Sequence, residues 1–498
     1  MNQSKLTKQD IENVLEVIRD LYLEDSIPWV IGYSGGKDST ATVQLVWTAL
    51  AQIPAEKRHK QVYVISSDTL VESPVVAAWL AQSLKKMEKV AKESDLPIEV
   101  HQLIPKIDNT FWVNVIGRGY PYPRRNMRWC TDRLKIQPTN KFVEDVISLS
   151  GEAIMVLGTR KAESSARRQR MEGYEKKRVR EHLSPSTTLV NAFVFSPIED
   201  WTSDNVWQYL MQYPNVWGQS NKELLAMYSG ASADGECPLV VDTSTPSCGN
   251  SRFGCWVCTM VAEDKSMAAM IQNDEEKAWM LPLLDFRNEI GVPQEIDRSR
   301  RDFRRMDGSP TLYNGKLVHG PYTREVREHF LRRLLEVEKY IQTCGPEELK
   351  EHPLITHEEL CRIRQIWLND KHEFIDSLPK IYKEVTGKEF VDYSTVTNRY
   401  FSDKEWSILE ETCKEEFPDE ELLHTMCASL LDVESRYNLM TSRRGVNQQL
   451  EKIVRKCFYA NEEDAESFLK QYSPADELHE QGDVSLVDEY YVQEVSPE

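Results

Sequence analysis

Five short runs of strand-forming apolar residues, Trp29 to Ser34, Val62 to Ser67, Ile98 to Leu103, Ile154 to Gly158 and Ala192 to Ile198, alternate with helix-length stretches as far as about residue 210. Strands separated by helices pair side by side in parallel, and the helices then cover both faces of the sheet. The pattern predicts an α/β fold built on a five-stranded doubly wound parallel sheet. In such a sheet ligands bind beyond the carboxyl ends of the strands, so chemistry is expected in the residues that follow each run.

The first run leads into Ser34-Gly35-Gly36-Lys37-Asp38-Ser39 and then into a helix of apolar and small residues, Thr40 to Ala51. Two glycines at a strand-to-helix turn let the backbone approach a ligand, and the loop amides, two hydroxyls and the helix N-terminus form a nest for an anion. It is not a Walker loop, because Lys37 precedes Asp38 and Ile31 stands where the first glycine would fall. The segment resembles the PP-loop of the adenine nucleotide α-hydrolase-like enzymes, which cleave ATP to AMP and pyrophosphate. That resemblance implies ATP with Mg2+ at Ser34 to Ser39, with Lys37 and Asp38 catalytic.

Three further segments are similar to the reductases and sulfurylases that handle adenylyl sulfates. They are Leu157-Gly158-Thr159-Arg160-Lys161-Ala162-Glu163-Ser164 with Arg167, Pro197-Ile198-Glu199-Asp200-Trp201-Thr202, and Cys130 with Leu134-Lys135-Ile136-Gln137-Pro138. The resemblance spans about residues 25 to 212 and implies that Gly158 and Arg160 serve the nucleotide, Arg160 as a donor to the transferring group. Asp68, after the second run, stands where such enzymes bind adenosine; an Asp closing a strand also serves simply as a helix cap.

Cys237, Cys248, Cys255 and Cys258 crowd together, with Pro246, Gly249 and Gly254 among them. In a cytoplasmic chain such crowding points to metal ligation, and four thiolates suit tetrahedral zinc or a four-iron cluster alike. The run Cys248 to Thr259, taken with the PP-loop, the Leu157 to Arg160 element and the long helical region, resembles the DndC family of the bacterial DNA phosphorothioation system. That resemblance implies a 4Fe-4S cluster, DNA as substrate, a cysteine desulfurase as sulfur donor, and DndD and DndE as companions. The cluster-bearing reductases carry an adjacent cysteine pair, whereas Trp129 precedes Cys130 here. Arg124, Arg125, Arg128, Arg133 and Lys135 surround Cys130 in sequence and predict a stabilised thiolate. Cys130 is therefore read as a persulfide carrier, with cluster ligation and simple packing as alternatives.

These motifs divide the chain into an N-terminal helix (1–27), a PP-loop domain (28–212), a cysteine-rich region (213–270), a helical domain (271–475) and an acidic tail (476–498). The tail holds eight carboxylates and no Lys or Arg, within a formal charge of −19, so a basic DNA-facing surface is expected only locally. Arg160 to Arg180, with nine bases against three acids, and Arg298, Arg300, Arg301, Arg304 and Arg305 are its candidates. No apolar run reaches the roughly 20 residues of a spanning helix and no signal peptide is legible, which predicts a cytoplasmic protein. The residues alone fit a DNA or a tRNA thiolase, an adenylyl-sulfate reductase or sulfurylase, or an ATP-switched DNA-binding subunit.

Overall fold

The computed structural model describes residues 6–124, 127–231, 254–313, 315–373, 375–392, 403–417, 421–438 and 443–472. Cys237, Cys248 and the acidic tail lie outside the described residues. The chain divides into two compact units: Met1–Lys106 with Trp129–Arg287 and Ile341–His352, and Ile107–Arg128 with Asn288–Tyr340 and Pro353–Glu498.

The first unit is an α/β fold. Its strands are β1 (Trp29–Gly32), β2 (Val62–Ser67), β3 (Ile98–Leu103), β4 (Ala153–Val156), β5 (Ser184–Pro185) and β6 (Ala192–Phe195), in the order β3-β2-β1-β4-β6-β5. The five predicted runs are all present and all parallel, with Trp29 opposite Val62 on one side and Ile154 on the other. The sheet has six strands rather than five. The extra one, β5, is a two-residue antiparallel edge in which Pro185 lacks a donor, too short for a hydrophobic pattern to announce it.

Three helices, α1 (Lys8–Glu24), α2 (Lys37–Gln52) and α3 (Pro74–Glu93), pack over one face, where Ile18, Trp29, Leu45, Val64 and Met87 share a core. The opposite face is covered by helix Gln137–Ser150 through Val143 and Val146 against Val30 and Ala153. Because both faces are buried there, β1 and β4 and most of β2 read as continuous apolar runs, whereas the edge strand β3 carries Glu99, His101 and Gln102. Strand order reverses between β1 and β4, so the loops that follow those strands flank the switch point.

The second unit is mainly helical. It includes most of Arg324–Cys344 and all of His357–Gln365, Ser377–Thr386, Glu421–Asn438, Val446–Lys456 and Glu462–Tyr472. Its arginine-rich stretch is engaged internally. Arg298 meets Glu462 at 2.9 Å, Arg301 meets Asp297 at 3.3 Å, Arg300 donates to the Glu289 carbonyl at 2.8 Å, and Arg304 donates to the Tyr459 carbonyl at 2.8 Å. These side chains tie segments of the unit together, which corrects the expectation that they form an open basic face. Among the described residues no helix is long and apolar enough to cross a membrane.

Candidate functional site

The loop after β1 turns at Gly35, whose φ of +73° is a left-handed conformation that suits glycine. The Trp79 indole donates to the Gly35 carbonyl at 3.2 Å and holds the turn. Ser39 Oγ donates to the Gly36 carbonyl at 3.0 Å and accepts from the Ser34 amide at 3.2 Å, closing the loop onto the first turn of α2. Lys37 Nζ donates to Asp38 Oδ2 at 3.1 Å, and its backbone amide donates to the Tyr228 hydroxyl at 3.3 Å. Tyr228, on helix Asn221–Gly230, has no counterpart among the residues the motifs single out.

The loop after β4 meets this one directly. A Cβ on Gly158 would sit 2.9 Å from both the carbonyl carbon and oxygen of Asp38, so only glycine lets the two backbones touch. Arg160, 3% exposed, donates from Nε to Asp38 Oδ1 at 2.7 Å, from Nη1 to the Trp201 carbonyl at 3.2 Å and from Nη2 to Ser203 Oγ at 3.3 Å. The Pro197 to Thr202 segment is thus the buttress behind Arg160, and Thr202 caps helix Ser203–Gln212 through a capping box with Asn205. Arg160 orients Asp38 and, through it, Lys37; the structure gives it the place of a positioning residue.

Asp68 closes β2. It accepts from the Leu70 amide at 2.8 Å and from Gln102 Nε2 at 3.0 Å, and burial, aided by Glu72, raises its pKa. His352 lies within electrostatic range of Asp68, its own pKa lowered by burial. No sequence signal marks His352, which comes from a short segment more than 280 positions along the chain from Asp68.

The segment after Asp68 pairs with the cysteine pair. Glu72 and Cys255 form an antiparallel bridge, the Trp256 amide donates to the Val71 carbonyl at 3.0 Å, and Thr69 Oγ1 lies 3.4 Å from Cys255 Sγ. Trp256 and Val257 are 1% exposed, and the buried Arg287 guanidinium donates to the carbonyls of Cys258 at 2.9 Å and Ala262 at 2.8 Å. Cys130 stands in electrostatic range of both Cys255 and Cys258, and Lys135 reaches Glu72 Oε1 at 3.2 Å. Burial pushes the Cys255 thiol up to about 12 and raises that of Cys130. The thiolate expected of Cys130 from its arginine-rich sequence is therefore not favoured: desolvation dominates, and Arg124 is paired with Asp297 in the second unit at 2.9 Å.

A strand-order reversal flanked by this loop and its Gly158 partner is what a nucleotide-binding PP-loop domain requires. Residues 28–260 match the phosphoadenosine phosphosulfate reductase domain family. The matched stretch contains the loop at 34–39, Asp68, Arg160 and all the cysteines discussed above. Over 200 residues, 40% of its length, this chain is 28% identical to the uncharacterized protein MJ0066 of Methanocaldococcus jannaschii. That stretch covers 35% of the relative, so the chain spans about a third of its length. Among solved structures, the U34-tRNA thiolase NcsA from Methanococcus maripaludis with its 4Fe-4S cluster is 14% identical, with a TM-score of 0.27, over 44% of this chain and 72% of that one. The Candida glabrata FMN adenylyltransferase with FMN and an ATP analog is 12% identical, also with a TM-score of 0.27, over 46% and 65%.

Proposed function

We propose that the chain is an ATP-dependent sulfurtransferase of DNA phosphorothioate modification. The observation that carries the reading is the gathering of Cys130, Cys255 and Cys258 behind β2, the neighbour of the strand that bears the PP-loop. A nucleotide loop on the strand next to half-buried thiols is the equipment for activating an oxygen and replacing it with sulfur. In this scheme a non-bridging oxygen of a DNA phosphodiester attacks the α-phosphorus of Mg2+-bound ATP, and pyrophosphate leaves. Sulfide sulfur then attacks the adenylylated phosphodiester and AMP departs with the original oxygen.

Lys37 and the loop amides balance charge on the departing pyrophosphate, and Asp38 holds the Lys37 ammonium in place from its anchor on Arg160. Asp68 lies where adenosine would be held. Among the described residues no group of three or more His, Cys, Asp or Glu side chains is arranged to hold a metal ion. A four-iron cluster is held by cysteine thiolates, the donor type that Cys130, Cys255 and Cys258 supply. Cys130, Cys255 and Cys258 would be among its ligands, with Cys237 and Cys248 outside the described residues. When bound, such a cluster supplies a metal centre with affinity for sulfide; a cysteine desulfurase delivers the sulfur as a persulfide, two equivalents of a thiol reductant release it as sulfide and leave as a disulfide, and DndD and DndE are companions.

Helix Ser165–Glu175 and the turn after it leave Arg168, Arg170, Lys176 and Lys177 exposed, and these are the DNA-facing cations of the proposal. The test is mass spectrometry of nuclease-digested DNA from cells with and without this gene. Phosphorothioate-linked dinucleotides that disappear with the gene support the reading; their presence in both, or thiolated tRNA nucleosides lost instead, reject it.

A further inference from the structure

Two elements that hold the PP-loop form walls of a cavity of about 750 Å3 within the first unit. On α3, Trp79 lines the cavity while its indole donates to the Gly35 carbonyl at 3.2 Å. On helix Asn221–Gly230, Ala226, Met227 and Gly230 line it, and between them the Tyr228 hydroxyl accepts from the Lys37 amide at 3.3 Å. The loop lies close against both elements: a Cβ on Gly35 would come within 3.5 Å of the Trp79 ring, and one on Gly36 within 3.2 Å of the Tyr228 hydroxyl. A third wall is helix Lys265–Asn273, which contributes Met270. Asn273 Nδ2 donates to the Gly230 carbonyl at 3.1 Å and ties this wall to the second. The buried side chains of Trp279 and Leu349 complete the apolar lining.

The charge of the lining is one-sided. Glu223, Asp274 and Glu348 stand against the single ammonium of Lys277. Asp274 Oδ1 accepts from the Glu276 amide at 3.0 Å. Glu223 and Glu348 are exposed, and their carboxylates have no hydrogen-bond or ion-pair partner among the described residues. Carboxylates over tryptophan rings attract a cation and repel phosphate, so a second nucleotide is the wrong ligand for this place. The methionine side chains adapt to an irregular apolar body. The volume is that of a site for a small organic molecule.

We propose that this cavity binds a small apolar organic cation, an amine or a guanidine, and that its occupancy is felt at the PP-loop through Trp79 and helix Asn221–Gly230. Binding rests on the cavity alone, whereas the coupling also rests on the nucleotide reading of the loop. The test titrates the full chain by calorimetry with tryptamine, tryptophol and indoleacetate, which share one apolar body and are cationic, neutral and anionic. Tryptamine is expected to bind about tenfold or more tighter than indoleacetate. Ala226→Arg, at an exposed helix position in the lining, should abolish that binding, and Glu223→Gln with Glu348→Gln should erase the preference for the amine. No binding of tryptamine, equal binding of all three compounds, or binding that survives Ala226→Arg overturns the site. ATP affinity is then measured with and without saturating tryptamine. A change of about fivefold or more is expected, and by reciprocity ATP should change tryptamine affinity by the same factor. The change should shrink in Trp79→Phe or Tyr228→Phe, each of which keeps its ring and loses its bond to the loop. Unaltered ATP affinity in wild type, or an undiminished change in both variants, overturns the coupling. If ATP does not bind even without tryptamine, the coupling falls together with the nucleotide reading, and the three-compound titration still decides the cavity.

Discussion

Arg160 Nε donates to Asp38 Oδ1 at 2.7 Å, joining the loop after β4 to the loop after β1 across the reversal of strand order. The pair is nearly dry on the arginine side and partly open on the aspartate side, with side chains 3% and 25% exposed. Removing the arginine leaves Asp38 without its anchor and Lys37 without a fixed partner. Arg160→Met is expected to cost about 3 kcal/mol of stability, read from the urea midpoint. Pyrophosphate release from ATP should fall by about 10²-fold or more. Wild-type release by a folded variant would show that Asp38 needs no such anchor.

Gly158→Ala tests the approach of the same two loops. The added methyl meets backbone atoms of Asp38 and the amide of Ser39, which have no rotamer with which to yield. Destabilisation of about 1–3 kcal/mol is expected, together with weaker ATP binding, as a calorimetric titration would show. Gly173, with open space around its Cβ position, is the control, and Gly173→Ala should leave ATP binding unchanged.

For the cysteines the readout is iron. Protein purified without oxygen is expected to hold about four irons per chain. Cys255→Ser, Cys258→Ser and Cys130→Ser should each lower that number, because their thiols share one neighbourhood. Full iron in Cys130→Ser with loss of sulfur transfer would instead assign Cys130 to carrying sulfur.

Burial, reinforced by Glu72, raises the pKa of Asp68, so the folded state prefers its protonated form. The sign follows from linkage: this contribution is complete below the carboxyl's unfolded pKa and is lost as pH rises through the higher folded value. The stability of wild type relative to Asp68→Asn should therefore decline as pH is raised from about 4 to 7. Denaturant midpoints of the two proteins that run parallel over that range would contradict the assignment.

The exposed cations after Ser165 make a prediction about salt. Each DNA phosphate that a cation neutralises contributes about 0.9 to the slope of log affinity against log salt. Replacing Arg168, Arg170, Lys176 and Lys177 by Gln should flatten the slope by about 0.9 for every phosphate these side chains neutralise, measured by fluorescence anisotropy of the protein or its complex. The same change at Arg298 and Arg304, which are bonded within their own unit, should unfold protein before it alters the slope.

The sheet was legible because a parallel strand buried on both faces must be a run such as Val62-Tyr63-Val64-Ile65, whereas β5 offers only Ser184-Pro185. Arg160 was legible as a motif residue, but its role was not, since its partners Asp38, Trp201 and Ser203 come from two other segments. The same holds for Cys130. Its sequence neighbours are basic, while its spatial neighbours are two thiols more than 120 positions away that only the folded chain brings close. Tyr228 and His352 carry no local signal at all; each enters the site through packing that no short window of sequence contains.

The order in which the units use the chain bears on synthesis. The first unit draws on Met1–Lys106, Trp129–Arg287 and Ile341–His352, while the second claims the stretches between them. A nascent chain emerging from the ribosome would therefore hold the first unit incomplete until residue 352 has been made, with His352 arriving last beside Asp68. Neither unit can be cut out as one contiguous piece. Nucleotide binding should appear late in translation, and a chain stopped at the end of the family-matched segment should be a poor stand-in for the whole.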